Sequence, residues 1–195
     1  MTRPPTRWTA LRRESRGFTI VELVMVLVLA GILMSMMAPV LEPGRWRADS
    51  AVHELTLSLN AAQRLAVMRQ HDIVVTFDLS ARRVWVLQDQ DDDGIADDGE
   101  NQKVIELGET IGFGLGGAPA LPQGAGPVSF RDRGAGPTVT FHRSGSASES
   151  GVAYLHPFQG SLSGDTGGVR ALTVERATGE VRCFSYRTGS WEPAC

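Results

Sequence analysis

The chain is poor in the residues from which active sites are commonly built. Among 195 residues there are two cysteines and four histidines. His53, His71, His142 and His156 are scattered, with no HExxH spacing to hold a catalytic zinc and no glycine-rich phosphate loop elsewhere. Gly160-Ser161-Leu162-Ser163-Gly164 has the outline of a nucleophile elbow, but Leu162 stands where the nucleophile is needed. Two cysteines without a third, or a histidine beside them, do not make a structural zinc site. A basic balance is missing as well: the net charge is −3, so no general attraction to nucleic acid follows from charge. No internal repeat or second soluble domain is apparent. These absences point to a non-enzymatic protein that requires no cofactor, leaving as a distant alternative an enzyme assembled from residues far apart in sequence, which the apolar run described next would make a membrane-anchored periplasmic one.

What the chain does have is one long apolar run. Residues 17–38 read GFTIVELVMVLVLAGILMSMMA, with a single carboxylate at Glu22. About 20 such residues at ~1.5 Å rise match the roughly 30 Å hydrocarbon core of a bilayer. The preceding residues hold five arginines against one acid, Glu14, which predicts a cytoplasmic N-terminus with everything after about residue 40 outside the cytoplasm. Met36, Met37, Ala38 and Pro39 form a poor secretory cleavage site. A plain signal anchor accounts for all of this except Glu22, since an acid within hydrocarbon costs on the order of 3 kcal/mol and calls for a partner.

GFTIVEL followed by an apolar helix resembles the N-terminus of type IV pilins and pseudopilins. The resemblance implies that a prepilin peptidase cuts between Gly17 and Phe18, that Phe18 is then N-methylated, and that the apolar helix stays in the mature protein. It also gives Glu22 a role. Removal of the leader exposes a cationic amine at Phe18, which can neutralise Glu22 of a neighbouring subunit; paired, both charges are tolerable in the membrane. Pro39 falls where pilins often carry a proline, and with Pro43 it predicts a kink or local melting.

Beyond the kink, Val52, Leu55, Leu59, Ala62 and Ala66 recur at helical spacing, which predicts an amphipathic helix over 49–69 with its apolar stripe on a sheet. From Asp72 the period changes to two. Ile73, Val75, Phe77 and Leu79 mark a strand, 84–87 a second, and 103–107, 138–142, 152–158, 169–176 and 180–187 the later ones, with Ala177-Thr178-Gly179 as a hairpin connection. The expected fold is α+β: a long N-terminal helix, membrane-spanning in its first half and amphipathic in its second, packed on an antiparallel sheet. The expected organisation is a leader over 1–17, a transmembrane helix over 18–40, a periplasmic amphipathic helix over 41–70 and a β-rich domain over 71–195. Two stretches rich in glycine, proline or serine, 112–127 and 144–151, predict exposed, mobile loops.

Residues 89–100, DQDDDGIADDGE, concentrate seven acids. They fit the twelve-residue calcium-loop template, with Asp89, Asp91, Asp93, Asp97 and Glu100 as carboxylate ligands, the Ile95 carbonyl at the seventh position and Gly94 at the turn. The flanks read as strands, however, and a solvated acidic hairpin tip describes the same residues. Cys183 and Cys195 lie on the side assigned to an oxidising compartment, where a disulfide would tie the tail to the last strand; two free thiols are the alternative.

LNAAQRLAVMRQHDIVVTFD, TFHRSGSASESG and LTVERATGEVRC resemble the GspH/FimT branch of the pilin superfamily. This implies a minor pseudopilin of a type II secretion system, with other pseudopilins or pilins, the prepilin peptidase, the inner membrane and secreted cargo as partners. The alternative is a FimT-like minor type IV pilin for pilus initiation or DNA uptake. Some FimT-like pilins bind DNA through a glycine-arginine-x-arginine motif. Here that stretch reads Gly179-Glu180-Val181-Arg182, and the acid argues against phosphate contact, although Arg170, Arg176, Arg182 and Arg187 would line one face if they shared it.

Overall fold

A computed structural model describes residues 18–37, 43–97, 99–158 and 167–195. The chain divides into two compact units, Met1–Leu41 and Glu42–Cys195. The first contains helix α1, Ile20–Met37. The leader with Gly17, and Pro39 with its expected kink, lie outside the described residues, as do Asp98 and the 160–164 stretch.

The second unit opens with α2, Pro43–Arg69, six residues earlier than the apolar stripe alone indicates. Pro43 is its first residue, where the missing amide removes no intrahelical bond. Ala48, Val52, Leu55, Leu59, Ala62 and Ala66 are buried along one stripe, at the spacing that puts them on a single helix face. The helix ends at Gln70, which adopts φ 63° and donates its amide to the Ala66 carbonyl at 2.9 Å, a left-handed cap of the kind usually given to glycine.

Among the described residues nine strands follow: β1 Ile73–Asp78, β2 Arg83–Gln88, β3 Gln102–Glu106, β4 Ile111–Phe113, β5 Thr138–Phe141, β6 Gly151–Pro157, β7 Arg170–Val174, β8 Val181–Arg187 and β9 Ser190–Pro193. They form two antiparallel sheets, ordered β3-β2-β1-β5 and β4-β6-β7-β8-β9. The architecture is therefore α+β, as the change of periodicity after Asp72 requires. α2 packs on β6, β7, β8 and β1. In the larger sheet Ala153 stands opposite Leu172, and Leu172 opposite Cys183, so one rung of small and aliphatic side chains meets the helix stripe. Phe77 of β1 joins the two sheets, stacking on Phe130 at 5.5 Å and meeting Phe113 of β4 edge-on at 5.9 Å.

Two expectations need correction. The 112–127 stretch is not a free loop: its first residues belong to β4, Phe113 and Ala118 are buried, and the rest lies on the outer face of the larger sheet. There Val152, Tyr154 and Ala171 form a second small core with Leu115, Leu121, Phe184 and Trp191. Tyr154 pins the segment, its hydroxyl accepting from the Leu121 amide at 2.6 Å and donating to the Gly124 carbonyl at 2.9 Å, and Trp191 Nε1 donates to the Pro119 carbonyl at 3.0 Å. An apolar outer face left bare would cost burial energy, so the segment serves as its cover. Residues 144–151 are likewise packed, with Ala147 buried and bridged to Phe141. Gln63 of α2 donates to the carbonyls of Gly145 and Thr178 at 2.8 and 2.6 Å, holding both turns to the helix.

Candidate functional site

The N-terminal segment is built around the start of α1. Phe18 and Thr19 precede the helix and Glu22 sits in its first turn. Thr19 Oγ1 accepts the Glu22 amide at 3.2 Å, and the Thr19 carbonyl accepts the Leu23 amide at 3.1 Å. Thr19-Ile20-Val21-Glu22 is thus a capping-box sequence, legible in the chain but missed when Glu22 alone was weighed. A carboxylate in the first turn also faces the positive end of the helix dipole. From Phe18 to Leu33 the large apolar side chains are more than half exposed on every face of the helix. Such a surface calls for lipid or other helices around it. At 18 residues α1 is about 27 Å long. The expected 18–40 span is described only to Met37, and among the described residues no helix is long and apolar enough to cross a membrane.

The acidic loop is folded against the smaller sheet. Asp89 is 2 % exposed, and its carboxylate accepts the amides of Asp93 at 3.1 Å and Gly94 at 2.8 Å. Burial nevertheless pushes the Asp89 pKa up, and the charges of Glu100 and Asp92 act in the same sense against those two amides. Asp89, Asp91 and Asp93 each bring a carboxylate oxygen within 4.8 Å of the others. Asp97 and Glu100 do not join this group. Glu100 instead accepts the amides of Gln90 at 2.7 Å and Asp97 at 3.2 Å, closing the hairpin as an internal acceptor. Gly94, at φ 78°, supplies the turn. Ile95 is exposed, with its amide bonded to Asp93 Oδ1 at 2.7 Å. Beside the loop, a polar depression of about 200 Å3 is lined by Asp72, Asp92, Arg133, Thr140 and His142. His142 Nδ1 meets Asp72 Oδ2 at 2.7 Å, tying the end of β5 to the start of β1.

At the C-terminus Cys183 and Cys195 form a disulfide. The tail is more ordered than a tethered end, because β9 pairs with β8 before the bridge. The arginine face does not form. Arg170 is fully buried, its Nε donating to Asp49 Oδ1 at 2.5 Å and a terminal guanidinium nitrogen to the carbonyls of Gly167 and Val169 at 3.0 and 2.9 Å. Arg182 is forked onto Glu180 through two bonds of 2.8 Å. The acid that breaks the arginine motif thus also occupies the arginine that remains. Of the other histidines, burial holds His156 below the ordinary imidazole pKa despite the opposing bonds with Gly114 and Gly112.

Residues 12–38 match the prokaryotic N-terminal methylation motif. No curated protein matches the chain. Two solved structures of the minor pseudopilin EpsH, from the type II secretion system of Vibrio cholerae, are similar to it. One has 17% identity over 71% of this chain and 97% of that one, with a TM-score of 0.48. The other has 21% identity over 71% and 94%, with a TM-score of 0.45.

Proposed function

We propose that this chain is a minor pseudopilin of a type II secretion system, a structural subunit that supports protein export by polymerising. It is held in the inner membrane with the leader cytoplasmic and the β-rich unit periplasmic. Prepilin peptidase cuts between Gly17 and Phe18 and Phe18 is methylated. The mature subunit then enters a short filament, with its Phe18 amine set against Glu22 of a neighbour. The observation that carries this reading is the methylation motif over residues 12–38, which runs through a helix whose side chains from Ile20 to Met34 are apolar on every side but for Glu22 in its first turn. Burial of that surface against other helices drives assembly, and the single acid sets its register.

A minor type IV pilin would share this chemistry, but its DNA-uptake form is disfavoured by the burial of Arg170 and by the Arg182–Glu180 fork, which take two of the four arginines of the expected basic face away from phosphate. Calcium held by Asp89, Asp91 and Asp93 is part of the proposal, supported by their convergence and by the relief a cation would give to a buried carboxylate.

Intact-mass measurement of the membrane-extracted protein tests the reading. A start at methylated Phe18 is expected, whereas an uncut chain in peptidase-competent cells would return the protein to a plain membrane anchor. Glu22→Ala should insert normally yet enter filaments poorly, and normal incorporation would remove the charge-pairing mechanism.

A further inference from the structure

From Phe18 to Met34 the sequence offers two polar side chains, Thr19 and Glu22, and both lie at the start of α1. The first amides of any helix have no carbonyl behind them, and in hydrocarbon each unpaired amide is costly. After cleavage nothing would precede Phe18, whose side chain accepts no hydrogen bond, so the mature chain must cap its own helix from these two residues. Thr19 does so, through its hydroxyl to the Glu22 amide and through its carbonyl to the Leu23 amide. We propose that Thr19 is a positioning residue for assembly: its hydroxyl caps α1 and so leaves the Glu22 carboxylate free for the amine of a neighbouring subunit. Without that hydroxyl the carboxylate is the one side-chain acceptor left at the helix start, and a glutamate three residues after an N-cap reaches back to the N-cap amide, so the whole burden of capping falls on it. Helix capping and subunit pairing would then compete for one group. The inference rests on the cleavage reading above.

The test uses the full chain in cells that make the peptidase and the filament, comparing Thr19→Val, which keeps the shape and loses the acceptor, with Thr19→Ser, which keeps the acceptor. Thr19→Val should be cut and methylated normally. Its Glu22 amide should exchange about fivefold faster in detergent micelles, the scale of losing a helix cap. Its recovery in sheared filaments should fall as far as that of Glu22→Gln, the double variant should fall no further, and Thr19→Ser should behave as wild type. Unchanged exchange at Glu22, additive losses in the double variant, or a Thr19→Val chain that stays uncut would each overturn the proposal. An uncut wild-type chain would instead sink the cleavage reading, while exchange at Glu22 would still report whether Thr19 caps the helix.

Discussion

Removing the carboxylate of Asp49 should destabilise the β-rich unit more than removing the arginine it holds. Arg170 lies at 0 % exposure with two backbone carbonyls and Asp49 as its acceptors. Asp49→Ala leaves a buried guanidinium without a counter-charge, and breaking a fully buried pair in this way costs about 3–5 kcal/mol. The Asp49 side chain is 46 % exposed, so water reaches one side of the pair and the expected loss is about 2 kcal/mol. Arg170→Met removes the charge and its partner's purpose together, keeps most of the buried stem, and should cost about 1 kcal/mol or less, since apolar replacement of a buried ion pair is often near neutral. The double variant should resemble Arg170→Met alone. For a unit of this size a 2 kcal/mol loss lowers the melting temperature by about 4–8 °C. Denaturant unfolding of the full chain in detergent, followed by tryptophan fluorescence, measures all three. Equal losses for the two single variants, adding in the double, would refute the reasoning, because an uncompensated buried charge cannot give that pattern.

Leu59 is fully buried under the larger sheet, so Leu59→Ala should cost about 2–5 kcal/mol in the same assay. At Gly179, which has φ 65° and where a Cβ would stand 2.2 Å from the Gly145 carbonyl oxygen, Gly179→Ala should lower stability by well over the ~1 kcal/mol of conformational cost alone, read as a melting shift. Cys183 and Cys195 are separated by 12 residues, so on reduction the loss should stay at or below about 3 kcal/mol, the scale for a short loop, and β9 amides should exchange faster while those of β7 do not. The raised pKa of Asp89 means that the fold favours its protonated form, so this group's contribution is present at low pH and is lost as pH rises through the raised value. In chelator, Asp89→Asn should therefore gain on wild type as pH climbs above the ordinary carboxylate range. Added calcium should reverse that order, and an Asn variant that melts in parallel with wild type under both conditions would remove both the burial argument and the ion.

The regular elements were legible because their periods are local properties of the chain. The stripe from Val52 to Ala66 and the alternation from Ile73 to Phe77 announce a helix and a strand, and the observed strand limits fall within one or two residues of those expected for the later strands. β4 and β9 were not legible. Three residues of β4 and four of β9 are too short for a period to show, and each exists because a neighbour, β6 or β8, offers an unpaired edge. The glycine-rich 112–127 stretch reads as loose by composition and is pinned by partners distant in sequence, Tyr154 and Trp191 among them. The capping role of Thr19 was in plain view as a four-residue pattern, but Glu22 drew attention as a charge rather than as a helix position.

By itself the sequence determined the apolar run, the place of Glu22 within it, the order of helix and strands and the acidic composition of the 89–100 hairpin, since each depends on residues close together in the chain. Only the tertiary structure decided what those charges do. It buried Arg170 on Asp49 where the sequence left it among surface cations, and it turned Glu100 to the amides of Gln90 and Asp97 rather than toward the three converging aspartates. The reason is that solvation and pairing are set by what lies across space from a charged group, and that neighbour is fixed by how the two sheets and α2 pack.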